Sequence, residues 1–299
     1  MKKPISLSIS LIALLFFGFT PSKSNPNKVF EKFLKKSSYI LIPSGKAFVN
    51  GEETTVQSFY ISKGEVTNFE YKEFLSYLRT NNEIEKLKIC QIDTMNWYAK
   101  DGLNKIMSDY YHSHPAYNKY PVVNISHEAA ELYCAFVSEA LAKNFPGHTV
   151  VCRLPSYSEY VRAARGDDKE MPYAWNSHTA RNNQGQILGN FLRVGEECIT
   201  RNPETGEYEV SKSDCWKSQY LGSNTTTTDV LAPSQSYWAN QFGVYNLSGN
   251  AAEMIAEKGV AVGGSWNNPG HDVRIDSRNT FEGTDRTVGF RVVFTYGEF

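Results

Sequence analysis

Five cysteines and one close histidine pair are the residues of this 299-residue chain whose chemistry can be considered without context. Cys198 and Cys215 bracket a segment centred on Asn202-Pro-Glu-Thr-Gly206 and followed by Glu207-Tyr-Glu-Val210, the pattern of a hairpin. A disulfide at its base would close a loop of about 18 residues, worth about 3 kcal/mol through the entropy of the unfolded chain. The alternative is two unrelated surface cysteines, which an oxidising compartment disfavours. Cys134 falls on the apolar face of a helix and reads as a buried thiol, as does Cys152 just before a strand-to-helix turn. Five is odd, so at least one thiol stays free or pairs between chains. His112-Ser-His114 could share a metal from a strand, but no Cys or carboxylate stands at ligand spacing, so the pair reads as structural. Trp175 and Trp238 read as core aromatics. There is no G-x-S-x-G, no phosphate-cradling glycine loop and no H-E-x-x-H, so no serine triad or zinc-protease helix can be argued.

The elements that would position these residues start after an export signal. Met1-Lys2-Lys3, an apolar run from Ile5 to Phe19 and the small residues Ser22-Lys23-Ser24 read as a signal peptide over 1–24, cut before Asn25. Its three lysines and no acid leave 28 Lys and Arg against 32 Asp and Glu, a net charge of about −4. No basic surplus remains to hold phosphates, which argues against a nucleic-acid partner. No later stretch reaches about 18 uncharged apolar residues, which argues against a membrane span. The first cysteine is Cys90, so no lipid-anchor cysteine follows the signal. The expected location is periplasmic, cell-surface or secreted.

Residues 25–38 read as a linker, and 39–299 as one domain with insertions at about 80–119 and 196–230. Tyr39 to Pro43 and Val56 to Ile61 read as strands. Thr67-x-x-Glu70 and Ser156-x-x-Glu159 are capping boxes, and Ser126 caps a helix with a wide apolar face from Ala129 to Leu141. After Gly166 the chain is rich in Gly, Asn, Pro and Trp, with short apolar runs. Long structured loops on a small sheet, an α+β fold, fit this pattern.

Several blocks, taken in order, resemble one family. They are Glu65-Val-Thr-Asn68, Tyr120-Pro-Val-Val123 ahead of Ser126, and Tyr133-Cys134. Arg153-Leu-Pro-Ser-x-x-Glu159-Tyr160 follows, with Ala163-Ala-Arg-Gly166 and Tyr173-Ala-Trp175. The last are Phe242 to Asn250 with Glu253, Gly263-Gly-Ser-Trp266, Arg278 and Gly289-Phe-Arg291. Together they resemble the formylglycine-generating enzyme, or sulfatase-modifying factor, family over about residues 39–296. The resemblance implies a C-type-lectin-like α+β fold, low in regular secondary structure and stabilised by calcium.

The resemblance also implies a chemistry: oxidation by O₂ of a cysteine in a bound sulfatase peptide, with copper held by two active-site cysteines. By spacing, Asn268 and Val273 stand at those two positions. Copper(I) needs soft sulfur ligands, which an amide and an isopropyl group do not supply, so copper is not expected. Calcium is expected at Asn246, Gly249, Ala251 and Glu253, a set of hard oxygens. A second site would use Asn190, the Phe191 carbonyl and a later acid such as Asp229. The family's cleft maps to Ser265, Trp266, Asn268, His271, Asp272 and Arg274, whose polar groups over an aromatic floor suit a peptide, glycan or partner loop.

The expected function is a non-catalytic, calcium-bound binding or assembly component of the cell envelope. The insertion at 80–119 and the entry into the first helix are similar to gliding-motility and type IX secretion lipoproteins of this fold. The alternatives are a metal-dependent oxidase with non-cysteine ligands, and a lectin-like glycan binder. An envelope protein or peptide is the expected partner.

Overall fold

The first long helix starts at Thr67, whose hydroxyl accepts the Glu70 N–H while the Glu70 carboxylate accepts the Thr67 N–H. This helix, α1 (Asn68–Thr80), buries Tyr71, Phe74, Leu75 and Leu78 along one stripe. The computed structural model describes residues 33, 37–97, 105–145, 148–184, 186–192, 199–202, 204–210 and 230–298. The signal segment, Cys198, Cys215 and Asp229 lie outside the described residues. Two short helices, α2 (Ile84–Ile89) and α3 (Lys105–Tyr110), occupy the insertion. Ser126 caps α4 (His127–Asn144), and a second capping box, Ser156 with Glu159, opens α5 (Tyr157–Arg165).

Twelve strands are found among the described residues: β1 (Tyr39–Ile42), β2 (Gly45–Val49), β3 (Glu52–Val56), β4 (Phe59–Ser62), β5 (His148–Arg153), β6 (Ile199–Arg201), β7 (Tyr208–Val210), β8 (Ala252–Met254), β9 (Val260–Val262), β10 (Arg278–Thr280), β11 (Val288–Phe290) and β12 (Val293–Glu298). One antiparallel sheet runs β1-β4-β12-β5. A second runs β10-β9-β8-β11, with β8 and β11 parallel. At the middle of the first sheet, alternation sends neighbouring side chains to opposite faces, and both faces are covered. Phe294 points into the aromatic cluster under α1 and α4, with Tyr71, Phe74, Tyr133 and Phe290. Its neighbour Val293 points the other way, to Ile42, Ile61 and the α5 residues Tyr160 and Val161. The result is the expected α+β fold.

Three differences from the sequence reading have physical causes. The run from Val56 to Ile61 is not one strand: Val56 ends β3 and Phe59 starts β4. Ahead of them, β2 and β3 pair through Asn50-Gly51, both at positive φ (51° and 84°), the left-handed turn that Asn-Gly favours. Phe33, read as linker, is 6% exposed and its ring stands 4.8 Å from Phe145, so this residue reaches the core. Trp238 is 44% exposed and not a core aromatic, whereas Trp175 is buried. The hairpin read around Asn202 is present as β6 and β7.

The insertion folds back through its aromatics. Trp97 and Tyr111 are buried, 4.9 Å apart, in a cluster that Val123, Leu231 and Ala251 complete. His112 is buried beside them. Trp97 Nε1 donates to His112 Nε2 at 3.2 Å, so the ring proton sits on Nδ1, which meets Asn68 Oδ1 at 2.9 Å. His114 accepts the Ala116 N–H. Both histidines are therefore engaged in local structure.

Burial, reinforced by the Lys72 charge, lowers the His112 pKa from 6.5 to about 3. The unfolded chain takes up this proton first, so stability falls as pH drops below 6.5 toward the folded value. His112→Gln keeps a donor and an acceptor but does not titrate. Urea midpoints measured from neutral pH down to about pH 4 should fall less in this variant than in the native chain. Parallel losses in both proteins would refute a buried neutral His112.

Candidate functional site

The segment from Gly263 to Arg274 turns sharply where backbones crowd. At Gly264, φ is 62° and a Cβ would lie 2.4 Å from the Asp272 carbonyl oxygen. Ser265 is fully buried, and both its N–H (3.0 Å) and its Oγ–H (2.6 Å) donate to Asn268 Oδ1. The Asn268 N–H returns a bond to the Ser265 carbonyl at 3.0 Å, and its carbonyl accepts the Leu192 N–H at 2.8 Å. Asn268 thus closes a turn. Val273 is also fully buried, packed with Trp175, Ile187, Leu188 and Phe191. Trp266 is half-buried against the insertion cluster, with the Arg286 guanidinium 5.9 Å above its ring.

Outward, the same turn presents His271, Asp272 and Arg274. The His271 side chain is 73% exposed, the Asp272 side chain 47%. Arg274 Nη2 lies 2.7 Å from His271 Nε2, and because a guanidinium only donates, that nitrogen accepts. The proton is then on Nδ1, 3.2 Å from Asp272 Oδ1. The arrangement is a solvent-facing relay of hydrogen bonds. Of the cleft residues expected from sequence, these three face solvent, while Ser265 and Asn268 bond each other. Arg278 pairs with Glu257 and covers the Tyr157 ring at 4.8 Å.

Behind the turn lies a buried polar network. Arg291, fully buried, donates from Nε to both oxygens of Glu253 (3.0 and 2.9 Å) and from Nη2 to Oε1 (2.6 Å). Nη1 also donates to the Ser62 carbonyl (2.8 Å) and Nη2 to the Tyr245 carbonyl (2.7 Å). Glu65, 2% exposed, accepts amide hydrogens from Asn250 (2.8 Å) and Asn246 (3.3 Å). Burial lifts its carboxyl pKa from 4.5 to about 8; the Arg291 charge opposes this and the Glu253 charge adds to it. Asn250 Oδ1 accepts the Ala232 N–H at 2.7 Å and an Asn190 amide hydrogen at 3.1 Å.

This ordered set of blocks has counterparts in other proteins. The family described as FGE-sulfatase, sulfatase-modifying factor enzyme 1-like domain, matches residues 26–296. The chain belongs to that family. Among solved structures it is similar to PvdO from Pseudomonas aeruginosa, at 18% identity over 86% of this chain and 93% of that one, with a TM-score of 0.51. It is similar to Treponema denticola variable protein 1 at 14% identity, over the same shares, 86% and 93%, and the same TM-score, 0.51. At such identities the likeness concerns the fold. No curated protein matches the chain in sequence.

The family's groups can be tested against these residues. Copper does not fit Asn268 and Val273: the amide oxygen is bonded twice by Ser265, and the isopropyl group lies in an aromatic cluster. In the set expected to hold calcium, Asn246, Gly249, Ala251 and Glu253, two side chains are engaged within the protein. The Glu253 carboxylate already holds a cation, Arg291, and the Asn246 amide nitrogen donates to Glu65. Gly249 is needed for packing, since a Cβ there would lie 2.5 Å from the Asn190 carbonyl oxygen. Asn190 fits better. It is 1% exposed, its nitrogen bonds the Val230 carbonyl at 2.7 Å, and its Oδ1 is buried without a partner. Such an oxygen suits a cation or water. Phe191, beside it, is buried and stacks on Trp175 at 6.0 Å. No cluster of three or more His, Cys, Asp or Glu able to hold a metal occurs among the described residues.

Glu65 and Arg291 were not singled out as site residues from sequence. Both stand in the ordered blocks, but nothing in their spacing says that they meet. Removing Arg291 would leave the Glu253 carboxylate buried and unpaired. Arg291→Met is expected to cost about 3–5 kcal/mol in urea unfolding, with much of it regained when Glu253→Leu is added. Equal losses in the single and double variants would mean that the pair's charge is not what the fold needs.

Proposed function

We propose that this member of the family is a non-catalytic, exported binding component of the cell envelope that engages a protein or peptide through the turn at His271, Asp272 and Arg274. The observation that carries the reading is the use of Asn268 and Val273. Where the resemblance places two thiols, one residue closes a turn and the other fills a core. What remains outward is a polar relay with the half-buried Trp266 in the same turn, suited to recognition by hydrogen bonds. Among the described residues no helix is long and apolar enough to cross a membrane. The export reading rests on the segment before Asn25, and the envelope role on the similarity to gliding-motility and type IX secretion proteins.

We also propose a structural calcium ion at Asn190, with the Phe191 carbonyl as a further ligand. Its support is the orphaned Asn190 oxygen. Metal analysis after dialysis against metal-free buffer should find calcium and neither copper nor iron, and a chelator should lower Tm. An unchanged Tm with no bound calcium would remove the ion from this account. Stoichiometric copper, with oxygen uptake in the presence of a cysteine peptide, would overturn the non-catalytic reading.

The binding turn is tested by His271→Ala combined with Asp272→Ala. Both side chains are exposed, so stability should change by no more than about 0.5 kcal/mol each. Cross-linking capture of an envelope protein should be lost. Undiminished capture would place recognition elsewhere.

A further inference from the structure

Two thiols outside this site lie side by side. Cys134 on α4 and Cys152 on β5 are 3% and 6% exposed and belong to one aromatic-rich core cluster. Both thiols are free in this structure, and the neighbouring Cys152 thiol together with burial raises the Cys134 pKa. Ser138, one turn after Cys134, fixes how the two backbones approach. Its Oγ donates to the Cys134 carbonyl at 3.0 Å and accepts the Cys152 N–H at 2.8 Å. The strand cannot slide, because Cys152 is opposite Phe294 in the β5–β12 ladder. Cys90 is also fully buried, but its setting is α2 and the Tyr71 hydroxyl, which donates to its carbonyl.

We propose that Cys134 and Cys152 form a disulfide that ties α4 to β5, made during folding by exchange with a small-molecule disulfide such as oxidised glutathione. One thiol gives up its proton, and its sulfur attacks the reagent, releasing one thiolate and leaving a mixed disulfide. The second cysteine sulfur, deprotonated in turn, attacks the bonded cysteine sulfur and releases the second thiolate. One S–S bond forms as one breaks; two protein thiols are oxidised, one disulfide is reduced to two thiols, and the two protons pass to the leaving groups.

The timing follows from burial. A glutathione-sized reagent cannot reach sulfurs this enclosed, and the neighbouring Cys152 thiol, followed by desolvation, holds the Cys134 thiol well above its ordinary pKa. Exchange is therefore completed before α4 closes on the sheet, and the finished bond is shielded from reductant. The cross-link is a clasp and not a switch.

The test uses the full chain, unfolded and reduced, then refolded in a mixture of oxidised and reduced glutathione until the native spectrum returns. It is next denatured, alkylated without reduction, and digested. A peptide pair linking Cys134 to Cys152 is expected, together with resistance of that bond to mild reductant in the native state. Cys134→Ala with Cys152→Ala should melt roughly 5–10 °C below the oxidised protein. Natively refolded protein with both residues alkylated, or with either linked to another cysteine, would overturn the proposal, whatever becomes of Cys198 and Cys215.

Discussion

A guanidinium with no exposure to water is the constraint around which this molecule is arranged. Arg291 lies between β11, in one sheet, and β12, in the other. Moving its charge out of water costs several kcal/mol, which only close and complete hydrogen bonding offsets. Glu253 on β8 supplies the counter-charge, and the carbonyls of Ser62 and Tyr245 each take a further donor. Both sheets and the loop before β8 must therefore converge on one point. Lysine could not do this, since its three donors radiate from one nitrogen and do not form a planar fork.

The second carboxylate of this region sharpens the point. Glu65 has no cation of its own and is met by amide hydrogens from Asn246 and Asn250. Burial raises the Glu65 pKa to about 8, with the Glu253 charge adding to it and the Arg291 charge opposing it, so the least costly state keeps Glu65 protonated. Asn246 and Asn250 both sit at positive φ, 55° and 68°, a conformation asparagine tolerates better than most residues. The asparagines of this loop thus serve a protein-internal charge arrangement.

This explains what the sequence could and could not disclose. Local rules were legible: Thr67, Ser126 and Ser156 each cap the helix expected of them, because a cap depends on residues three apart. Asn50-Gly51 carries the turn signal of β2 and β3, but the polar run Glu52 to Thr55 that follows shows no apolar alternation. Roles set by distant partners were not legible. Glu253 has the residue type and spacing of a cation ligand, yet its cation is Arg291, 38 positions away. Trp238 is apolar enough for a core, but its exposure depends on how the surrounding loops pack.

The turn at 263–274 is held mainly by backbone contacts. Its path is set by the two glycines, by the Trp266 N–H bond to the Asn250 carbonyl and by the Asn268 carbonyl bond to Leu192. None of these needs a side chain at 273 or a sulfur at 268. Val273 fills its place among Trp175, Ile187, Leu188 and Phe191 without any polar contact. An asparagine that bonds Ser265 secures the turn more firmly than a free thiol. On the proposed reading, loss of the thiols would have been tolerated by the fold, and even favoured by it. The outward residues 271, 272 and 274 would then be free to change with a partner, while the inward ones remain bound by packing.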